Sequence, residues 1–341
     1  DINITIDFSD DVIVTGTPKL ELETGQPVKL YADYISGSGS STLIFSYTTE
    51  QNDLISDLAY ASTSALSLNS GTIKDAAGND AILTLALPGD SGSLSFNKDI
   101  AIDAVIPTVD TSSSQQVFSN NPEGTYGIGE TLDISIKFSE AIIVDTTNGT
   151  PALELETGSI DRAATYASGS GTNTLNFSYT VQEGDSARRL DYNGLLLNDA
   201  TIKDAAGNNA TLTLASRGNY GSLSYGTRYD ISGIRPYVSD TYGSNTLRGV
   251  YSSNSNGYYT QGDEISITVE FVKGSSGVSN NVFVDITNGS PTLELETGDT
   301  KRLATFTNSY SGGQLNFVYT FQDGDTASDL DYTSSNALSL N

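Results

Sequence analysis

The 341-residue sequence contains no histidine, cysteine, methionine or tryptophan. Without imidazole or thiol there is no Ser-His-Asp triad, no thiolate nucleophile, no zinc site of the common kinds and no iron-sulfur cluster. The chemistry left open is that of paired carboxylates, as in glycosidases, or of unusual Ser, Lys or Tyr arrangements. Disulfides are excluded too, so each folded unit rests on its apolar core, with bound metal ions as the remaining kind of staple. Basic residues are scarce: 16 Lys and Arg stand against 42 Asp and Glu, a net charge of -26. Such a chain lacks a basic footprint for phosphates, which argues against nucleic acid as a partner and against docking on an anionic membrane. Its carboxylates repel one another unless cations screen or bind them, so a saline or calcium-containing exterior suits it. No apolar run is long enough to span a bilayer, which argues against direct membrane insertion, and no signal-peptide pattern or initiator methionine appears at Asp1.

What the sequence has instead is repetition. The phrase "TPKLELETG" begins at Thr17, "TPALELETG" at Thr150 and "SPTLELETG" at Ser290, and each is embedded in a longer series of matching phrases. The boundaries read from that series are 1–103 for repeat 1, 104–232 for repeat 2 and 233–341 for repeat 3. Repeat 2 is the complete copy. Repeat 1 lacks the opening strand, while repeat 3 carries an insertion, "KGSSGVSNN" at 273–281, and stops before any counterpart of "TIKDAAGN". Sheet edges left open in this way invite aggregation, and the sequence reads as a window on a longer array.

Strand periodicity dominates. In "TLNFSYT" Leu175, Phe177 and Tyr179 alternate with Asn176 and Ser178, and the phase recurs at Leu43, Phe45, Tyr47 and at Leu315, Phe317, Tyr319. Turn signals (NG, SGSG, AGN, EGD) interrupt the chain at short intervals, and no segment holds a helical period. The rhythm predicts an all-β chain, an antiparallel β-sandwich of about eight strands in each repeat. In "PALELETG" Leu153 and Leu155 share one face and Glu154 and Glu156 the other, a strand with an acidic outer stripe. The stripe reads as solubilising edge chemistry, or alternatively as a cation-binding or partner-facing strip.

Three sets of carboxylates are candidate metal ligands, calcium being the cation that takes six to eight oxygens. The first is the "GD…LDY" loop, with Asp325, Asp329 and Asp331 in repeat 3 and Asp185 and Asp191 in repeat 2. Arg189 and Ala59 replace acids in other copies, and a solvated turn is the plainer reading. The tyrosine closing this phrase, Tyr60, Tyr192 or Tyr332, is expected to anchor a loop as a tyrosine corner does. The second is "KDAAGN", where Asp75 and Asp204 either cap a turn or hold a metal. The third is the repeat junctions, with Asp99, Asp103 and Asp110 around one proline, Asp230 and Asp240 around the next, and Glu130 and Asp263 in matching turns. No acid pair is special to one copy, and an active site is seldom repeated along a chain.

The series "GETLDISIKFSEAIIV…GTPALELETG…ATYASGSGTNTLNFSYTVQEGD…LDY…TIKDAAGN" resembles the bacterial Ig-like tandem repeats of giant cell-surface and secreted proteins, among them adhesins and the swimming-associated surface protein of cyanobacteria. The resemblance spans essentially the whole chain. It implies tandem Ig-like antiparallel β-sandwich domains arranged as an elongated array, export to the bacterial cell surface, and calcium between domains. Ser232 stands where Asp103 stands one repeat earlier, so calcium at every junction is not implied. The function expected is a non-enzymatic extracellular structural or adhesive array, a stalk or adhesin segment. Its partners would be neighbouring repeats of the same or identical chains, together with surface glycans or proteins met through loops such as 273–281. The alternatives are a self-assembling filament or surface-layer subunit, and a carbohydrate-binding module.

Overall fold

The computed structural model describes residues 1–23, 28–238, 249–272, 282–310 and 313–340. The insertion 273–281 and Asp240 lie outside them. The described chain is β-structure throughout, apart from one short helix, Leu94–Asn97.

Repeat 2 shows how alternation becomes a fold. Its longest strand, Thr131–Asp145, buries Leu132, Ile134, Ile136 and Phe138 on one face. The strand Thr172–Thr180 lies antiparallel beside it, and the register sets Leu132 opposite Tyr179, Ile134 opposite Phe177 and Ile136 opposite Leu175. Because the side-chain period is two, a slip of one residue would turn both apolar rows outward, so the pattern fixes the register. Matching pairs occur in the other repeats, Ile4 with Phe45 and Ile267 with Phe317. The sheet continues through Arg162–Ser168 and Ala152–Leu155 to Tyr192–Leu196, and Val117–Phe118 pairs with the other edge of the long strand. Between Lys137 and Ile142 the register shifts, and residues 143–145 pair with Thr201–Lys203 instead. A bulge of this kind bends a strand and lets it serve two sheets.

The other layer is small. Tyr229–Ser232, hereafter the closing strand of repeat 2, lies between Ser186–Ala187 and Gly124–Gly127. Its pairing with Gly124–Gly127 is parallel, where the sequence pattern predicts antiparallel neighbours only. Parallel pairing needs a long crossover, and these two strands are separated by nearly the whole repeat, a connection that local alternation does not register.

Three separate apolar clusters form the cores: residues 4 to 102, 109 to 231, and 267 to 337. The architecture is a series of β-sandwich domains, one core to a repeat. In the acidic-stripe strand of repeat 2, Leu153 and Leu155 are fully buried, while Glu156 meets Arg217 at 2.7 Å. In the neighbouring repeats Glu21 pairs with Lys29 at 2.7 Å and Glu296 with Lys301, so much of the stripe is neutralised within its own domain. The recurring "SGSG" turn follows from a close backbone approach. At Gly169, with φ of 112°, a Cβ would stand 2.1 Å from the Thr174 carbonyl oxygen, and at Gly37 it would stand 2.2 Å from that of Thr42. Only glycine fits there.

Candidate metal centre

Three carboxylates converge where repeat 1 meets repeat 2. Asp103 ends the closing strand of repeat 1, Ile102–Asp103, which pairs with Leu54–Ile55. Glu140 lies at the bend of the long strand of repeat 2, just after Phe138. Asp204 follows Thr201–Lys203 and opens the "KDAAGN" loop. One carboxylate oxygen from each lies within 4.8 Å of those of the other two. Asp204 is buried and the others are half-buried.

The loop explains how Asp204 is held. Its Oδ1 accepts the Asn208 backbone N–H at 2.8 Å and its Oδ2 accepts the Asn208 side-chain amide at 2.7 Å, an Asx arrangement made possible by Gly207 at φ 98°. The same amide group also donates to the carbonyls of Asp103 at 3.0 Å and Val105 at 3.3 Å. A single asparagine therefore ties the loop of repeat 2 to the chain leaving repeat 1. In repeat 1 the loop is built identically, with Asp75 accepting from Asn79 at 2.8 and 2.7 Å. Those bonds from Asn79 hold the Asp75 carboxyl below its ordinary value.

Charge at the junction is uncompensated. Among the described residues no lysine or arginine forms an ion pair with Asp103, Glu140 or Asp204. Burial, and then the fields of Asp103 and Asp204, push the Glu140 carboxyl above its ordinary value. Two carboxylate charges no more than 4.8 Å apart repel by about 3 kcal/mol or more at an effective dielectric constant of about 20. The donor set is all oxygen and anionic, which suits a hard divalent cation such as calcium and not zinc, whose structural sites draw on nitrogen and sulfur. Bound there, calcium would supply the missing positive charge, with Asp103, Glu140 and Asp204 holding it and water completing the shell.

Of the acids singled out by sequence, Asp103 and Asp204 are brought together; the rest go elsewhere. Asp185 is buried and fully engaged: Arg162 donates to it at 2.8 Å, the Tyr179 hydroxyl at 2.6 Å and the Gln182 N–H at 2.8 Å. Asp325 repeats that arrangement with Arg302, Tyr319 and Gln322. Asp191 accepts from Gly218 N–H at 3.0 Å and the Ser224 hydroxyl at 2.6 Å, and so ties down the segment leading to the closing strand. Asp110 pairs with Lys137 at 3.0 Å and caps Ser112, whose hydroxyl, with Lys137, holds its carboxyl below the ordinary value. Glu130 accepts from Gly127 N–H, Asp263 from Thr260 N–H and Asp331 from Tyr332 N–H, each within its own turn. Asp99 and Asp329 stand exposed. Among the described residues these acids form no group of three converging on one point, because internal donors already orient most of them. Glu140 was missed from sequence. Its signal is weak but present, since "FSE" at 138–140 matches "FSD" at 8–10, placing an acid at the bend in both copies. Two of the three tyrosines closing the "LDY" phrase anchor a loop, Tyr60 donating to the Ala86 carbonyl and Tyr192 to that of Ala215, both at 2.7 Å, while Tyr332 is 40% exposed.

The Asp325 cluster carries a pH prediction. Burial alone would raise the Asp325 carboxyl, but donation from Tyr319, Gln322 N–H and Arg302 outweighs it, and the group titrates below its ordinary 3.8. Tyr319 is correspondingly pushed up to about 12 by burial and by Asp325. An acid depressed in the folded state adds stability that is present above the unfolded value and lost as pH falls through the folded one. Thermal melts between pH 6 and pH 2 are expected to show repeat 3 weakening only below about pH 4. In Asp325→Asn that acid limb is expected to flatten, and an unchanged limb would locate it elsewhere.

No family model matches the chain, and no curated protein matches it. Among solved structures it is similar to the chicken CNTN1 FN1-FN3 domains, at 9% identity over 94% of this chain and 87% of that one, with a TM-score of 0.21. No helix among the described residues is long and apolar enough to cross a membrane.

Proposed function

We propose that the chain is a non-enzymatic structural or adhesive segment of the bacterial cell exterior, an elongated run of β-sandwich repeats whose first junction is stiffened by calcium. The observation that carries this reading is the meeting of Asp103 from repeat 1 with Glu140 and Asp204 from repeat 2, none of which has an ion-pair partner among the described residues. Two covalently linked domains joined by a short linker swing by default. A cation shared across the seam fixes their angle, and length with stiffness is what a stalk requires. The net charge of -26 and the resemblance of the repeated phrases to exported bacterial repeats support the location. Contact with glycans or proteins falls to the variable loops.

Melting and small-angle scattering in calcium and in chelator test the reading. A cation present at 100 times its dissociation constant adds about 2.7 kcal/mol to the state that binds it, and the maximum dimension should grow or sharpen as the seam locks. Glu140→Gln gives a sign reversal, since this acid lies against Asp103 and Asp204 and does not take part in the Asp204–Asn208 bonds. In chelator the variant, relieved of one repelling charge, should melt at or above the parent, whereas in calcium it should melt below. Identical melting and scattering with and without calcium in the parent would remove calcium from the assignment.

A further inference from the structure

The net charge hides one basic surface. In repeat 2 the segments 188–191 and 217–230 run side by side: the Leu190 N–H donates to the Tyr229 carbonyl at 2.7 Å, and Asp191 accepts from the Gly218 N–H and the Ser224 hydroxyl. Repeat 1 is built on the same plan, with the Leu58 N–H donating to the Ile100 carbonyl at 2.8 Å and "GSLSF" at 92–96 matching "GSLSY" at 221–225. That match allows the two surfaces to be compared place by place. Arg188, Arg189, Tyr220 and Arg228 stand where repeat 1 has Ser56, Asp57, Ser91 and Asp99, and all of them are exposed. In repeat 3 the first two places hold Ser328 and Asp329. One face of repeat 2 has exchanged acids and serines for arginine and tyrosine, while the apolar pattern beneath it is kept.

The three arginines gather round one carboxylate. Arg228 reaches Asp230 through Nε at 2.9 Å and Nη2 at 2.6 Å, and its backbone N–H donates to Glu123 at 3.1 Å. The Arg189 N–H donates to the other Asp230 oxygen at 2.9 Å, and its guanidinium to the Thr227 carbonyl at 3.4 Å. Burial alone would raise the Asp230 carboxyl, but donation from Arg228 and from the Arg189 N–H, with the fields of Arg228 and Arg188, holds it below its ordinary 3.8. Among the described residues neither Arg188 nor Arg189 forms an ion pair. Arg189 also holds a φ of 59°, a left-handed conformation that is costly for a long side chain and that the matching Asp57 does not adopt. Beside the arginines, Tyr220 and Tyr225 are 52% and 47% exposed and meet edge-on with centroids 5.5 Å apart. Asp191 pins the loop that carries both rings, where repeat 1 has Ala59.

We propose that this face of repeat 2 binds an acidic polysaccharide, with Arg188, Arg189 and Arg228 taking the carboxylates of its uronic-acid units and Tyr220 and Tyr225 stacking on its rings. A guanidinium fork matches a carboxylate through two parallel bonds. Tyrosine offers a rigid apolar face with a wet hydroxyl at its rim, which suits a sugar ring whose C–H face is bordered by hydroxyl groups. Charge decides among anionic partners. A second copy of this chain would bring its own net charge of -26 to the contact, and such fields repel; a polysaccharide brings a thin strand with a few charges. A nucleic-acid duplex engages proteins through more phosphates than three guanidinium groups can neutralise. The site gives the adhesive part of the reading above a place and a ligand class, and it rests on that part alone. Neither the array nor calcium at the first junction depends on it.

The probe is oligogalacturonate, titrated calorimetrically into the whole chain in chelator so that calcium cannot bridge two anions. Saturable one-to-one binding is expected, weakening as salt rises, and a maltooligosaccharide of equal length, which has rings without carboxylates, should bind far more weakly. Arg188→Ser with Arg189→Asp installs the residues that repeat 1 carries at those places, and should weaken binding about tenfold or more through the loss of charge-assisted contacts. Tyr220→Ser, again the repeat 1 residue, should weaken it about fivefold. In case a variant misfolds, hydrogen exchange in the unaltered chain serves as a second measurement: the oligosaccharide should protect amides within 186–192 and 216–230. No saturable binding overturns the proposal, as do binding that appears only with calcium, protection confined to other segments, and a short polyglutamate that binds as tightly as oligogalacturonate. Self-association of the chain that Arg189→Asp abolishes would also overturn it and give the face to a second copy. If oligogalacturonate fails while calcium still stiffens the chain, the array stands without this ligand.

Discussion

Replacing Asp185 with alanine is expected to destabilise repeat 2 by about 3 to 5 kcal/mol, the usual cost of removing one partner of a buried ion pair. The carboxylate is 1% exposed and gathers three donors from different parts of the repeat: Arg162, the Tyr179 hydroxyl and the Gln182 N–H. Its loss strands a half-buried guanidinium and a buried hydroxyl together. Repeat 1 shows which donors matter most. There the position of Arg162 is taken by Leu30, opposite Leu22 as Arg162 is opposite Leu155. Asp53 nevertheless keeps the Tyr47 hydroxyl and the Glu50 N–H. Arg162→Leu is therefore expected to cost much less than Asp185→Ala, about 1 kcal/mol. Denaturant unfolding of both variants checks the order, and equal losses would mean that the ion pair, not the tyrosine and backbone bonds, organises the turn.

The second large effect is expected at Phe177. Its ring is fully buried, opposite Ile134 in the register, and meets Tyr166 edge-on with centroids 5.9 Å apart. The same edge-on pair is built in repeat 1 from Tyr34 and Phe45 and in repeat 3 from Phe306 and Phe317. Phe177→Ala removes the ring and leaves a void that close-packed neighbours fill only in part, at about 3 to 5 kcal/mol. Since each repeat has its own buried cluster, differential scanning calorimetry should show one transition falling by about 10 °C or more while the others hold. A uniform fall of all transitions would show that the repeats melt as one unit.

The strands were legible because alternation, turn glycines and threefold repetition point to the same elements. The rows Leu175, Phe177, Tyr179 and Leu153, Leu155 face inward as their spacing requires. Non-local pairing was not legible, and the parallel contact of Gly124–Gly127 with Tyr229–Ser232 has no short-range signal. The carboxylates divide for a similar reason. Sequence counts acids but not the donors that fold back on them, so Asp185 and Asp325 read as ligands and are instead the hubs of tyrosine and arginine contacts. Asp103 was found in the linker phrase at a repeat junction, and Asp204 in the repeated "KDAAGN" turn. Glu140 lies on a strand whose bend is a tertiary feature.

The contact made by Asn208 on the carbonyls of Asp103 and Val105 joins two different surfaces, the exit of one sandwich and the loop side of the next. Such a contact is heterologous, and repeating it cannot yield a two-fold pair. Repeat 1 carries the same receiving loop, in Asp75 and Asn79, with Asp10 beside its own bend. The seam of repeats 1 and 2 therefore has a direction: the exit of one sandwich gives its carbonyls and the loop side of the next takes them, so the two ends of the pair are unlike.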